Sequence, residues 1–188
     1  MHFGMTGELY WAGPGERQRR HDRVAFAVPG SELRFRDMRK LQGITLAKRP
    51  GGIGRVLAGL GADALGVGRE EFDHAPGGGR RAVKAVLLDQ SSIAGLGNLL
   101  ADEICWRARL HPRWPAGQLG TADRARVHGQ MRRVLRDAVR ERRVPARPGW
   151  LTVSRDADDP RCPRCGAALA RGRAAGRGMV WCPRCQPG

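Results

Sequence analysis

Four cysteines near the C-terminus constrain this chain more than any other feature. Cys162, Cys165, Cys182 and Cys185 stand as C-x2-C, sixteen residues, C-x2-C. Two such knuckles bring four thiolates to the corners of a tetrahedron, the arrangement of a structural Zn2+ about 2.3 Å from each sulfur. A segment this short cannot bury a sufficient core of its own, so metal binding is also its folding energy. One structural zinc is therefore expected, ahead of an iron centre or redox pairs at the same spacing. All four ligands are cysteine, which leaves no open position for a catalytic water. The intervening "GAALARGRAAGRGMVW" reads as two short strands around a glycine-rich tip, a rigid hairpin with Arg171, Arg173 and Arg177 near its end. Cys105 lies inside a helical apolar pattern and is expected to be a small buried hydrophobe.

Charge points to the partner. Lysine and arginine total 34 against 18 acidic residues, a net charge of +16. Coding bias toward GC would enrich Ala, Gly and Pro without tilting the balance this far, so a polyanion is implied, nucleic acid first. No apolar run is long enough to span a bilayer, and "MHFGMTGELYW" has neither the basic nor the apolar region of a secretory signal. Cysteines paired for a metal rather than for disulfides fit a reducing cytosol. A cytoplasmic, nucleoid-associated monomer without membrane contact is expected.

The chain reads as α+β. Residues 1–47 carry short strands at Glu8 to Trp11, Val24 to Val28, Glu32 to Arg36 and Gly43 to Leu46. In "ELRFRD", Leu33 and Phe35 alternate with Glu32, Arg34 and Arg36, giving one apolar and one charged face. So few strands with so few large apolar residues make an incomplete antiparallel sheet. Residues 48–79 read as glycine-rich connection, with a short helix near Arg69 to Phe72. Helices are expected at Arg80 to Asp89, Asn98 to Leu110 and Thr121 to Arg142, the last with Val127, Met131, Val134, Leu135 and Ala138 on one stripe. Residues 80–150 form the helical domain and 151–188 the metal-closed module.

"SSIAGLGNLLADEICW" enters its helix through two glycines. Asn98 is expected as the N-cap, with Asp102 and Glu103 in the first turn, where acidic side chains suit the helix dipole. Gly95 and Gly97 permit a tight turn whose backbone can approach another surface, and N–H groups at a helix start can hold an anion. A DNA phosphate fits a chain of this charge.

Taken together, "KAVLLDQSSIAGLGNLLADEICWRARLHP" resembles the helix-two-turn-helix segment of the formamidopyrimidine-DNA glycosylase and endonuclease VIII family. "GRGMVWCPRCQ" resembles that family's C-terminal zinc finger. "HFGMTGEL", "HDRVAF" and "LRFRDMRKLQG" are similar to the back part of its N-terminal β-sandwich. The resemblance implies base-excision repair of double-stranded DNA carrying damaged bases or abasic sites, by extrusion of the base, glycosidic cleavage and AP lyase nicking. It implies that Lys84 and Asn98 bind phosphate and that Arg177 grips the backbone beside the extruded nucleotide. It also implies that Met5, Arg39 and Leu41 fill the vacated stack, leucine standing where an aromatic is often found.

The family's nucleophile is the amine of an N-terminal proline followed by glutamate. An α-amine titrates near pH 8, so a useful neutral fraction exists to attack the sugar. This sequence opens Met-His-Phe. No catalytic residue is therefore expected within it, and the catalytic head is expected outside it, through a late-called start or a true truncation. The short stretch between Arg142 and Cys162 leans the substrate toward endonuclease VIII-type lesions. The alternatives are a catalytically silent binder of damaged or abasic DNA and an RNA-binding zinc-ribbon protein.

Overall fold

The computed structural model describes residues 7–38, 44–74 and 79–188. The chain divides into two compact units, Met1–Ala58 and Gly59–Gly188. Met5, Arg39 and Leu41, expected to fill the vacated stack, lie outside the described residues.

The first unit holds β1 (Glu8–Ala12), β2 (Asp22–Val28) and β3 (Ser31–Arg36), antiparallel in the order β1-β3-β2. Leu9, Phe35 and Val24 stand opposite one another, as do Trp11, Leu33 and Phe26, which puts these apolar side chains on one face. The charged alternation falls on the other face. There Asp22 accepts hydrogen bonds from Tyr10 Oη at 2.6 Å and Arg36 Nε at 3.1 Å. Arg34 on that face is buried rather than solvated, because the main-chain carbonyls of Glu16 and Arg17 take its guanidinium hydrogens. The strand expected over Gly43 to Leu46 does not form where it is described: residues 44–46 are irregular, and Gly43 lies outside the described residues.

The segment read as connection is structured. α1 spans Pro50–Leu57, started by a proline at N1 whose fixed φ suits a first turn. In the second unit β4 (Ala62–Asp63) precedes α2 (Arg69–His74), with Ala64 and Val67 in the core. Glycine enrichment hides these few anchoring side chains from periodicity.

Next come α3 (Val83–Leu88), β5 (Ile93–Ala94), which pairs parallel to β4, and α4 (Asn98–Arg107). A 21-residue α5 (Thr121–Glu141) follows, then α6 (Leu151–Ser154) and the hairpin strands β6 (Ala170–Ala174) and β7 (Arg177–Trp181). The α5 stripe behaves as the spacing predicts. Val127, Met131, Val134 and Leu135 are buried against Val83, Leu87, Leu100, Ile104 and Cys105. Burial pushes the Cys105 thiol up to about 12, which makes it inert. A second cluster joins Trp106 and Leu151 to Cys162, Leu169, Val180 and Cys182. The zinc module is thus packed onto α4. Among the described residues no helix is long and apolar enough to cross a membrane.

Candidate nucleic-acid interface

The turn before α4 is shaped from its own sequence. Asp89 accepts hydrogen bonds from Ser91 N and Oγ, from Ser92 Oγ and from Arg81 Nη2. The Ser91 hydroxyl, then Arg81, hold its carboxyl well below the usual carboxylate range. Gln90 next cradles the glycine turn: its Oε1 accepts from Gly95 N at 2.9 Å, and its Nε2 donates to Leu96 O at 3.0 Å. Gly95 sits at φ +101°, which side chains with a Cβ rarely adopt. Gly97 is different. Its φ of −105° suits any residue, and a Cβ built on it meets nothing within 4 Å.

Gly97, not Asn98, is the N-cap of α4, and no side chain caps the helix. Asn98 is already helical, so its side chain cannot fold back onto the N2 and N3 amides as a cap would. Its Oδ1 is buried without a hydrogen-bond partner. The first-turn N–H groups, which an α-helix cannot satisfy itself, therefore keep their capacity for an outside acceptor.

Asp102 and Glu103 do not serve the dipole. Both point into the protein and are fully buried. Asp102 Oδ1 accepts from Lys84 Nζ at 2.6 Å, and Oδ2 accepts from Arg155 Nη1 at 2.9 Å and Val180 N at 3.3 Å. Glu103 accepts from Arg107 Nε at 2.6 Å and from Leu151 N at 2.8 Å. Burial pushes both carboxyls up and the Lys84 amine down, opposed in each case by the partner charge. The expectation that Lys84 lies on a phosphate does not match its place here. Its side chain is 0% exposed, and besides Asp102 its amine bonds Gly178 O at 2.6 Å.

The four expected ligands come together. The Sγ atoms of Cys162, Cys165, Cys182 and Cys185 lie within 4.8 Å of one another. Three pairs measure 3.9, 3.5 and 3.5 Å, close to the roughly 3.8 Å edge of a tetrahedron with 2.3 Å Zn–S bonds. These residues fit one structural Zn2+. Trp106 Nε1 donates to Cys162 Sγ at 3.4 Å. The Arg164 guanidinium lies 4.2 Å from the Trp106 ring centroid and also bonds the Trp106 carbonyl. The hairpin turns through Ala175 and Gly176 at φ +48° and +72°, the two positive values of a type I′ turn. Arg171 and Arg173 donate to the carbonyls of Arg155 and Gly176, and Arg177 is exposed at the first position of β7. Sequence reasoning missed Asp102, Arg155 and Gln186 as structural polar residues. Gln186 ties the last knuckle to Leu110 O at 2.8 Å.

Known proteins share this arrangement. The formamidopyrimidine-DNA glycosylase N-terminal domain matches residues 1–44, the formamidopyrimidine-DNA glycosylase H2TH domain residues 67–146, and the zinc finger found in FPG and IleRS residues 160–188. The formamidopyrimidine-DNA glycosylase of Symbiobacterium thermophilum is 40% identical, across 99% of this chain and 66% of the relative. That of Acidothermus cellulolyticus is 34% identical, across 99% of this chain and 71% of the relative. The chain thus spans about two thirds of the length of these relatives. The structure of Lactococcus lactis Fpg with abasic-site DNA superposes with a TM-score of 0.80 at 24% identity, covering 100% of this chain and 74% of that one. A Lactococcus lactis FPG mutant on Fapy-dG-containing DNA gives 0.83 at 24% identity, with the same coverage. With three of the family's domains in order along the sequence and 34% identity held over 71% of a relative, the chain belongs to the formamidopyrimidine-DNA glycosylase family.

Proposed function

We propose that this chain grips double-stranded DNA at damaged bases or abasic sites, as the strand-holding part of a base-excision DNA glycosylase with AP lyase activity. The observation that carries the reading is the start of α4. Gly97 is required neither by its own φ nor by space inside the protein, and the helix it opens is uncapped. A bare backbone beside unsatisfied N–H groups is what close approach of a phosphate needs. Asn98 and Arg177 are the side chains assigned to the same strand. A net charge of +16 supplies the long-range attraction.

Zn2+ supplies no step of the reaction; it closes four thiolates and so fixes the hairpin that carries Arg177. The glycosidic step needs a neutral amine placed at the sugar, and none of the strand-holding residues supplies one. The names of the relatives support formamidopyrimidine-type lesions, in place of the endonuclease VIII lean drawn from the short stretch between Arg142 and Cys162. A cytoplasmic, nucleoid-associated monomer is consistent with cysteines arranged for a metal. The RNA-binding alternative draws no support from these relatives.

Borohydride trapping on a duplex carrying a formamidopyrimidine lesion or an abasic site tests the activity in a protein that carries these residues together with a catalytic segment supplying the amine. A covalent adduct is expected from that protein. No adduct, together with selective binding of a tetrahydrofuran site, would make the chain a silent binder. Equal affinity for intact and lesion-bearing duplex would overturn the reading.

A further inference from the structure

The buried charges behind the hairpin have no part in the strand contacts assigned above, yet they meet the hairpin beside Arg177. Asp102 on α4 binds Lys84 on α3 through one oxygen, and through the other it binds Arg155, which follows α6, and the main-chain N–H of Val180 on β7. Lys84 reaches past it to the carbonyl of Gly178. Gly178 and Val180 are two residues apart on β7, so their main-chain groups point the same way, off one edge of the hairpin. Arg171 of β6 closes the ring on the Arg155 carbonyl at 2.7 Å.

A carboxylate between two cations is a poor way to gain stability in a protein interior, because desolvation offsets most of the attraction. Its distinctive contribution is geometric. Apolar contacts such as Trp106 on Leu169 and Val180 tolerate sliding. A charge-assisted hydrogen bond of 2.6 Å from an amine held by Asp102 to the single carbonyl of Gly178 does not. A slip of β7 by one residue would withdraw both the Gly178 carbonyl and the Val180 amide from the cluster and turn Arg177 to the opposite face.

We propose that Asp102, with Lys84 and Arg155, is a positioning residue that sets the register of β7 and thereby the place of Arg177 relative to the glycine turn at the start of the same helix. This rests on the reading that Arg177 contacts the DNA strand. Asp102 touches no DNA and acts through Arg177.

A double-mutant cycle on full-chain, zinc-loaded protein tests it, with affinity for a tetrahydrofuran-site duplex as the readout. Asp102→Asn keeps the shape and removes the charge. It is expected to weaken binding about tenfold, as Arg177→Ala does, since loss of one charge-assisted contact is on that scale. In the Arg177→Ala background the same change is expected to cost less than about twofold, because its route to the DNA is already gone. Independent effects that multiply in the double mutant, or an Asp102→Asn protein that binds like the parent, overturn the positioning role. An Arg177→Ala protein with unchanged affinity overturns the underlying reading instead. Should Asp102→Asn lose zinc or its cooperative melting, Lys84→Met decides by the same cycle, since it leaves the Asp102–Arg155 pair in place. Loss of folding in both variants makes the cluster purely structural and also overturns the proposal.

Discussion

Trp106→Phe isolates how the helical core supports the zinc module. Trp106 is 5% exposed, and its indole N–H lies 3.4 Å from Cys162 Sγ. With zinc bound that sulfur is a thiolate, so the bond has a charged acceptor, a class contributing about 1.5–3 kcal/mol. Phenylalanine keeps an aromatic face for Arg164, 4.2 Å from the Trp106 ring centroid, and loses the donor. At 1.4 kcal/mol per factor of ten, zinc affinity should fall about 10- to 150-fold, in line with other outer-shell contacts to metal ligands. Competition with a chromophoric chelator measures this directly. Lost packing volume is a separate effect and appears as a lower Tm at saturating zinc. The reasoning is refuted if zinc affinity is unchanged while Tm falls, because Trp106 would then be only a wedge in the core.

Three further outcomes follow from the geometry. A Cβ at Gly61 would collide with the Ser92 carbonyl, so Gly61→Ala must pry β4 from β5 and should cost about 1–3 kcal/mol by thermal or urea melting; an unchanged midpoint contradicts the parallel pairing. Ala175 holds φ +48° in the hairpin turn, a region asparagine tolerates better, so Ala175→Asn should stabilise the zinc-loaded hairpin by roughly 0.5–1 kcal/mol, and a loss of stability would show the turn is not type I′. Asp89 has its pKa lowered, first by the Ser91 hydroxyl and then by Arg81. Its folded pKa lies below its unfolded one, so its contribution is present above about pH 4 and lost as the pH falls toward the folded value. The stability gap between the parent and Asp89→Asn, read from urea melts, should be constant above about pH 5 and narrow below pH 4; a gap that widens on acidification refutes the assignment.

The sequence discloses most where a local rule leaves few options. Four cysteines at fixed spacing fold to one cluster of sulfurs, and the α5 stripe from Val127 to Leu135 is buried because 3.6-residue periodicity leaves that face no other use. It conceals what depends on distant partners. Lys84, Asp102 and Glu103 look like solvated charges, and only the bonds from residue 84 to 178, 102 to 155 and 103 to 151 turn them inward. Asn98 has the chemistry of a cap, yet Gly97 takes the position because its extended backbone starts the helix one residue sooner. α1 was obscured by three glycines in eight residues, a composition that argues against a helix unless an N1 proline starts it. The DNA-facing role proposed for the α4 turn draws on "GLGN" and net charge together, and neither alone suggests it.

The central claim is that the open end of α4 and Arg177 hold phosphates of one strand. Its most direct test is the salt dependence of binding to a tetrahydrofuran-site duplex, parent against Arg177→Ala. Three to six phosphate contacts give a log–log slope of about −3 to −5, and removing Arg177 should flatten it by about one at every sequence tested. A parent slope near zero, or the same slope with and without Arg177, would contradict the account.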